Sequence, residues 1–168
     1  MTWTKLHWVD GPWPGMLALA ARPRGGEWLA DEITGWQSAG VDTVFSLLTA
    51  EEEEDLELTE EAAQAESHGV KFLSFPILDR QVPKSESELT RGLEKLESEL
   101  VAGRNVVLHC RQGIGRTGLV AACLFLTKGL DPEAAVERLS AARGIPVPET
   151  PEQRRWIDHY ASTFADAR

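Results

Sequence analysis

The sequence is short of cysteine, of basic charge and of long apolar runs, and each shortage excludes something. Only two of its 168 residues are cysteine, Cys110 and Cys123. Two cannot build a disulfide framework, and their spacing matches no zinc site. Lysine and arginine number 17 against 27 aspartates and glutamates, a net charge of −10, which is a poor footprint for nucleic acid. No apolar stretch approaches a bilayer span. The opening MTWTKLHWVDGPWPG lacks a basic segment followed by an apolar one, so no leader is expected. Much of the charge deficit lies in residues 51–55 and 57–66, read as a solvated face or a loop leading into a helix. What remains is a soluble acidic domain in a reducing, cytoplasmic compartment, expected to be a monomer with no nucleic-acid partner and no membrane span.

Short apolar runs alternate with longer amphipathic ones, the pattern of an α/β fold with crossover helices. Residues 16–20, 43–48, 71–75 and 105–109 read as strands. Leu89, Leu93, Leu96 and Leu100 recur at helical spacing and predict an amphipathic helix closed by Gly103. The run LVAACLFLTKGL is apolar nearly all round, as expected of a buried helix. Asp131 and Pro132 read as N-cap and first residue of a helix through 142, and residues 152–164 as a last helix. With no repeat or linker, residues 1–168 read as a single α/β domain. Its expected core is a mostly parallel sheet of about four to five strands flanked by helices. Three of the six tryptophans fall within the first 13 residues, where they are expected to pack an N-terminal segment onto the sheet.

One segment concentrates chemistry. In VVLHCRQGIGRTGLVAA a buried strand ends at His109, and a helix is expected to begin near Arg116 or Thr117. Between them Gly113 and Gly115 permit a tight curl, so that successive backbone N–H groups can face one hollow. A hollow at a helix N-terminus favours anions. Arg111, Gln112, Gly113, Ile114, Gly115 and Arg116 are therefore the expected phosphate-binding positions. Arg116, six residues after Cys110, can reach back and grip two phosphate oxygens. Cys110 at the base would share the positive field, which favours a reactive thiolate. Cys123, within the apolar helix, reads as a small core residue.

HCRQGIGRTG resembles the HCxxGxxR[ST]G signature of the protein tyrosine phosphatase superfamily, which includes the dual-specificity enzymes. His109, Cys110, Gly113, Arg116, Thr117 and Gly118 match its fixed positions. The resemblance implies that Cys110 attacks phosphorus and Arg116 binds the phosphate. It further implies that Thr117 eases departure of the thiolate, and that His109 orients the loop and tunes the thiol.

Such a reaction also needs a proton donor. FLSFPILDRQVP offers Asp79, beyond a strand and 31 residues before Cys110, with Arg80 and Lys84 flanking it. The superfamily's acid loop reads WPDxxxP; this chain keeps the aspartate and Pro83 and lacks the Trp-Pro pair. ETPEQ resembles the QTxxQ segment that places the hydrolytic water. Gln153 and Thr150 match, and Glu149 stands where the first glutamine usually does. The same residues also read as a helix N-terminus, with Thr150 as cap and Gln153 as its partner.

The expected reaction is metal-free, cofactor-free phosphomonoester hydrolysis through a phosphocysteine. The substrate expected is a phosphoprotein, bearing phosphotyrosine and also phosphoserine or phosphothreonine. Arg111, directly after the nucleophile, keeps a phosphoinositide or other small phosphoester as the alternative, since some inositol-lipid phosphatases carry a basic residue there. Two rivals remain: a sulfur-transfer or arsenate-reducing enzyme, the latter needing Cys123 as resolving thiol, and an inactive phosphopeptide-binding module.

Overall fold

The computed structural model describes residues 2–166. Among them five strands form one sheet: β1 (His7–Val9), β2 (Leu17–Ala20), β3 (Thr43–Ser46), β4 (Lys71–Ser74) and β5 (Val106–His109). Their spatial order is β1-β2-β5-β3-β4. All neighbours are parallel except β1, which runs antiparallel to β2. Strands β2, β3 and β5 are buried throughout, as expected of parallel strands covered on both faces.

Among the described residues seven α-helices flank the sheet. They are α1 (Leu29–Ser38), α2 (Ala50–Asp55), α3 (Glu61–Ser67), α4 (Glu86–Val101), α5 (Gly115–Leu126), α6 (Pro132–Arg143) and α7 (Pro151–Asp166). On one side, α4 to α7 enclose the larger core, where Leu89, Leu93, Leu96 and Leu100 meet Leu119, Val120 and Phe125. On the other, α1 and α3 cover Ala18, Val44 and Val107. Every residue of α5 is buried, so its lack of polarity follows from its central place. Asp131 caps α6 through the Ala134 N–H at 2.8 Å, with Pro132 following, and Gly103 follows α4 at φ +86°.

Strand β1 and helix α1 were not legible as elements. Helix α1 contains Gly35, a poor helix former, which is required because the ring of Trp3 lies on it; a Cβ there would be 2.5 Å from the ring. Trp13 packs on Phe125 with ring centroids 5.3 Å apart, so this N-terminal tryptophan does pin the segment to the core. The acidic stretch forms two short helices joined by a turn, with most of its carboxylates on a solvated face. Thr49 opens α2 through a capping box with Glu52, and Glu52 and Glu61 are buried while Glu51 and Glu54 are exposed.

At the amino ends of the strands, Glu99 of α4 accepts from Thr43 Oγ1 (2.7 Å), Lys71 Nζ (2.9 Å) and Arg104 Nε and Nη2 (both 2.9 Å). Burial alone would raise its pKa. The hydrogen bonds outweigh burial and lower it from an ordinary 4.5 to about 2. A carboxyl depressed in this way stabilises the fold above pH 4.5, and that contribution is lost as the pH falls toward 2. Thermal melts should therefore drop through this window, and drop less steeply for Glu99→Gln. Parallel profiles for the two proteins would remove Glu99 as the cause.

Candidate active site

Strand β5 lies between β2 and β3, so the loop after His109 leaves the middle of the sheet at the carboxyl ends of its parallel strands, where α/β sheets place ligands. Three successive peptide units of that loop are pinned by their carbonyls. The Arg111 carbonyl accepts from the Arg22 N–H at 3.3 Å. Those of Gln112 and Gly113 accept from Arg143 Nη2 and Nε, both at 3.0 Å. In a trans peptide the N–H points opposite to the C=O. The amides of Gln112, Gly113 and Ile114 are thus turned to the other side, and the Gly113 N–H lies 3.3 Å from Cys110 Sγ. Gly113 has φ +73°, and a Cβ there would stand 2.5 Å from the Ala20 carbonyl. Only glycine fits.

Helix α5 starts at Gly115, at the edge of the loop and slightly earlier than expected, and Arg116 is buried in its first turn. Its Nη1 donates to Glu52 Oε1 (2.6 Å) and to the Ile77 carbonyl (2.8 Å). Its Nη2 donates to Glu52 Oε2 (2.9 Å) and to Asp79 Oδ1 (2.9 Å). The fork held by Glu52 fixes the plane of the guanidinium. Burial opposes the charge on Arg116, but the hydrogen bonds of Glu52 and the charges of Cys110, Glu52 and Asp79 outweigh it and raise its pKa. In Glu52 burial likewise works against ionisation, and Arg116, the Thr49 amide and Arg111 overcome it, holding the carboxyl below its usual range.

The structure brings Asp79 to the mouth of the same site. A cavity of about 90 Å³ is lined by Asp79, Arg80, Cys110, Arg111, Gln112, Arg116 and Glu149. The Asp79 side chain is 46% exposed there. Lys84 is exposed and outside this lining. Gln153 is fully buried, with both amide atoms engaged. Its Oε1 accepts from the N–H groups of Glu149 (3.2 Å) and Thr150 (3.1 Å), and its Nε2 donates to the Gln81 carbonyl (3.1 Å). With an Arg80–Glu149 ion pair at 3.2 Å, this ties the segment that carries Asp79 to the start of α7. Thr117 Oγ1 is buried and has no hydrogen-bond partner among the described residues.

Three contributors escaped the sequence reading: Glu52, Glu61 and Arg143. Glu61 Oε2 lies 2.7 Å from His109 Nε2, with both side chains fully buried. The Thr49-x-x-Glu52 capping pattern was a signal for the first. Arg143 stands in the last turn of α6 among ordinary surface residues, with nothing local to mark it.

A cysteine on a glycine-bearing loop between a central parallel strand and a buried helix thus shares one cavity with an arginine and an aspartate. Residues 5–158 match the family described as Swiss Army Knife protein, DSP-PTPase phosphatase domain, and the chain belongs to that family. Cyclin-dependent kinase inhibitor 3 of Rattus norvegicus is 28% identical over 131 residues, 77% of this chain and 61% of that protein. The chain thus spans less than two thirds of that relative. Among solved structures, kinase associated phosphatase with its catalytic cysteine replaced by serine has a TM-score of 0.90 at 23% identity, covering 98% of both chains. PTPMT1 in complex with PI(5)P has a TM-score of 0.75 at 20% identity, covering 97% of this chain and 99% of that one. Both show the likeness of fold.

Proposed function

We propose that this domain hydrolyses phosphomonoesters on proteins through a phosphocysteine at Cys110. The observation behind it is Cys110 Sγ under the Gly113 N–H, at the floor of a cavity that Arg116 and Asp79 also line. Thiolate attack forms the S–P bond as the ester P–O bond breaks. Arg116 and the loop amides hold the equatorial oxygens. Asp79 protonates the departing oxygen, and phosphate competing for Arg116 Nη2 frees its carboxyl to do so. Asp79 then takes a proton from the water that attacks phosphocysteine, while the free hydroxyl of Thr117 stabilises the departing thiolate. Gln153 serves this second step by holding the acid loop, with Glu149 beside it at the rim.

A cavity of about 90 Å³ suits the phosphoryl group and leaves the rest of the substrate outside, which favours phosphotyrosine together with phosphoserine or phosphothreonine. The rim cations are balanced: Arg80 pairs with Glu149 at 3.2 Å, and Arg111 lies 3.7 Å from Glu52. That balance favours singly phosphorylated protein segments over phosphoinositides, whose further phosphates need free cations. PTPMT1 with PI(5)P is the neighbour that argues the other way. Assays of a phosphopeptide panel beside soluble inositol phosphates decide between them.

Quenching the reaction with an aryl phosphate and mapping peptides by mass spectrometry should find phosphate on Cys110. Its absence during steady turnover would remove the intermediate. Asp79→Asn should slow hydrolysis of a poor leaving group by roughly 10²–10⁴-fold, and of an activated aryl phosphate much less. Equal, small losses on both would place the acid elsewhere.

A further inference from the structure

Strand β4 forms one edge of the sheet, and among the described residues nothing pairs with its outer side. The Lys71 and Phe75 amides donate toward β3, to the carbonyls of Asp42 (3.0 Å) and Ser46 (2.8 Å). In a parallel ladder alternate residues bond to the same neighbour, so the N–H and C=O of Phe72 and Ser74 point away from the sheet. Pro76, without an N–H, closes the run. Donors and acceptors on alternate residues are what an extended chain pairs with when it adds to a sheet.

A groove of about 310 Å³ opens beside the same edge, between β4 and α4. Leu73 and Phe75, on the α4 face of the sheet, supply its apolar floor. Arg91 and Lys95, one helical turn apart on α4, stand exposed in its wall and make no ion pair among the described residues. Glu88 is the one carboxylate in the lining, so this wall is net positive on a domain of net charge −10. The cations at the catalytic mouth, by contrast, are balanced by Glu149 and Glu52. Leu78, between the edge strand and Asp79, is 63% exposed, more than any other large apolar side chain among the described residues. A solvated helix face accounts for the two cations alone. It does not account for an apolar floor and an unpaired edge lying beside them.

We propose that β4 receives an extended acidic segment of the phosphoprotein substrate, added as a sixth strand with its carboxylates on Arg91 and Lys95. This rests on the reading of the domain as a protein phosphatase. Strand β4 leads at its carboxyl end into the segment that carries Asp79, so a chain laid along its edge is directed toward the Cys110 cavity. The added strand would lie three strand spacings from β5, about 14 Å, so about four or more extended residues must separate the acidic segment from the phosphorylated residue.

Arg91→Gln combined with Lys95→Gln should lower kcat/KM roughly three- to twentyfold, through KM, on a phosphopeptide whose Asp/Glu segment begins five residues from the phosphotyrosine. Turnover of an aryl phosphate should not change, since neither residue lines the catalytic cavity. Methylating alternate backbone nitrogens of the acidic segment should cost the unmodified protein a similar factor. Equal kinetics of the two proteins on the acidic peptide would overturn the proposal, and indifference to methylation would overturn the added strand. Nitrogen-15 NMR with the unphosphorylated acidic peptide reads docking without chemistry: the Phe72 and Ser74 amide signals should move as the peptide saturates. Movement of those signals with protein concentration alone would give the edge to a second copy of the chain and overturn the proposal. If the peptide moves them while no phosphomonoester is turned over, the failure lies with the proposed activity and not with the docking edge.

Discussion

Cys110→Ser should lose turnover of an aryl phosphate by roughly 10⁴-fold or more, as removal of a nucleophile does elsewhere, while still binding substrate. Serine is a poor nucleophile here because a hydroxyl is a far weaker acid than a thiol and stays protonated at neutral pH. The loop amides and Arg116 stabilise an anion that cysteine forms readily and serine does not. Binding should survive because the hollow does not depend on sulfur. Its amides are oriented by Arg22 and Arg143 acting on carbonyls, and its guanidinium by Glu52. Calorimetry with a non-hydrolysed phosphopeptide should give a dissociation constant within a few-fold of the unmodified protein's. Wild-type-like turnover would end the phosphocysteine mechanism, and loss of binding would make Sγ part of the anion site.

The unmodified protein separates the two rivals. An inactive binding module would show no turnover to lose. An arsenate reductase would need Cys123 to resolve an adduct on Cys110. Cys123 is fully buried within α5, and burial pushes its thiol well above the ordinary range, so it supplies almost no thiolate at neutral pH. Peptide mapping after arsenate treatment should find no Cys110–Cys123 bridge.

What was legible from the sequence is what lies in contiguous residues. Cys110, Gly113, Arg116 and Thr117 share one turn of chain, so the constraints on that turn are written within nine residues from His109. Asp79 was picked out because it follows a strand and stands before Pro83 and the Cys loop, the order of the superfamily's acid loop. The partners that make the loop work come from far away: Glu52 is 64 residues from Arg116, Glu61 is 48 from His109, and Arg143 is 30 from Gly113. Within the acidic stretch Glu61 looks like its exposed neighbours, since only the packing of α3 turns it inward, while Glu52 is marked locally only as the capping partner of Thr49. Strand ends shifted for a related reason. Strands β3 and β4 stop at Ser46 and Ser74, while Leu47 and Phe75 still donate across to His109 and Ser46 as the chain bends toward the site.

Glu52 yields the second large effect, on stability and catalysis together. Glu52→Ala should lower the unfolding free energy by about 3–5 kcal/mol, because it leaves the buried Arg116 guanidinium without its fork partner. Activity should fall in the remaining folded fraction, since Arg116 would then be oriented by Asp79 and the Ile77 carbonyl alone. Glu52→Gln, which keeps one acceptor, should lie between the two. The decisive comparison is Glu52→Leu combined with Arg116→Met. Replacing both members of a buried pair by apolar residues of similar bulk is often neutral or stabilising. The double variant should therefore recover most of the stability that Glu52→Ala loses, in urea titrations, yet remain inactive. That outcome means the ion pair is retained to aim a cation at the Cys110 hollow rather than to hold α2 against α5. If the double variant is as unstable as Glu52→Ala, the pair is structural, and the orientation of Arg116 must be credited to Asp79 and the backbone.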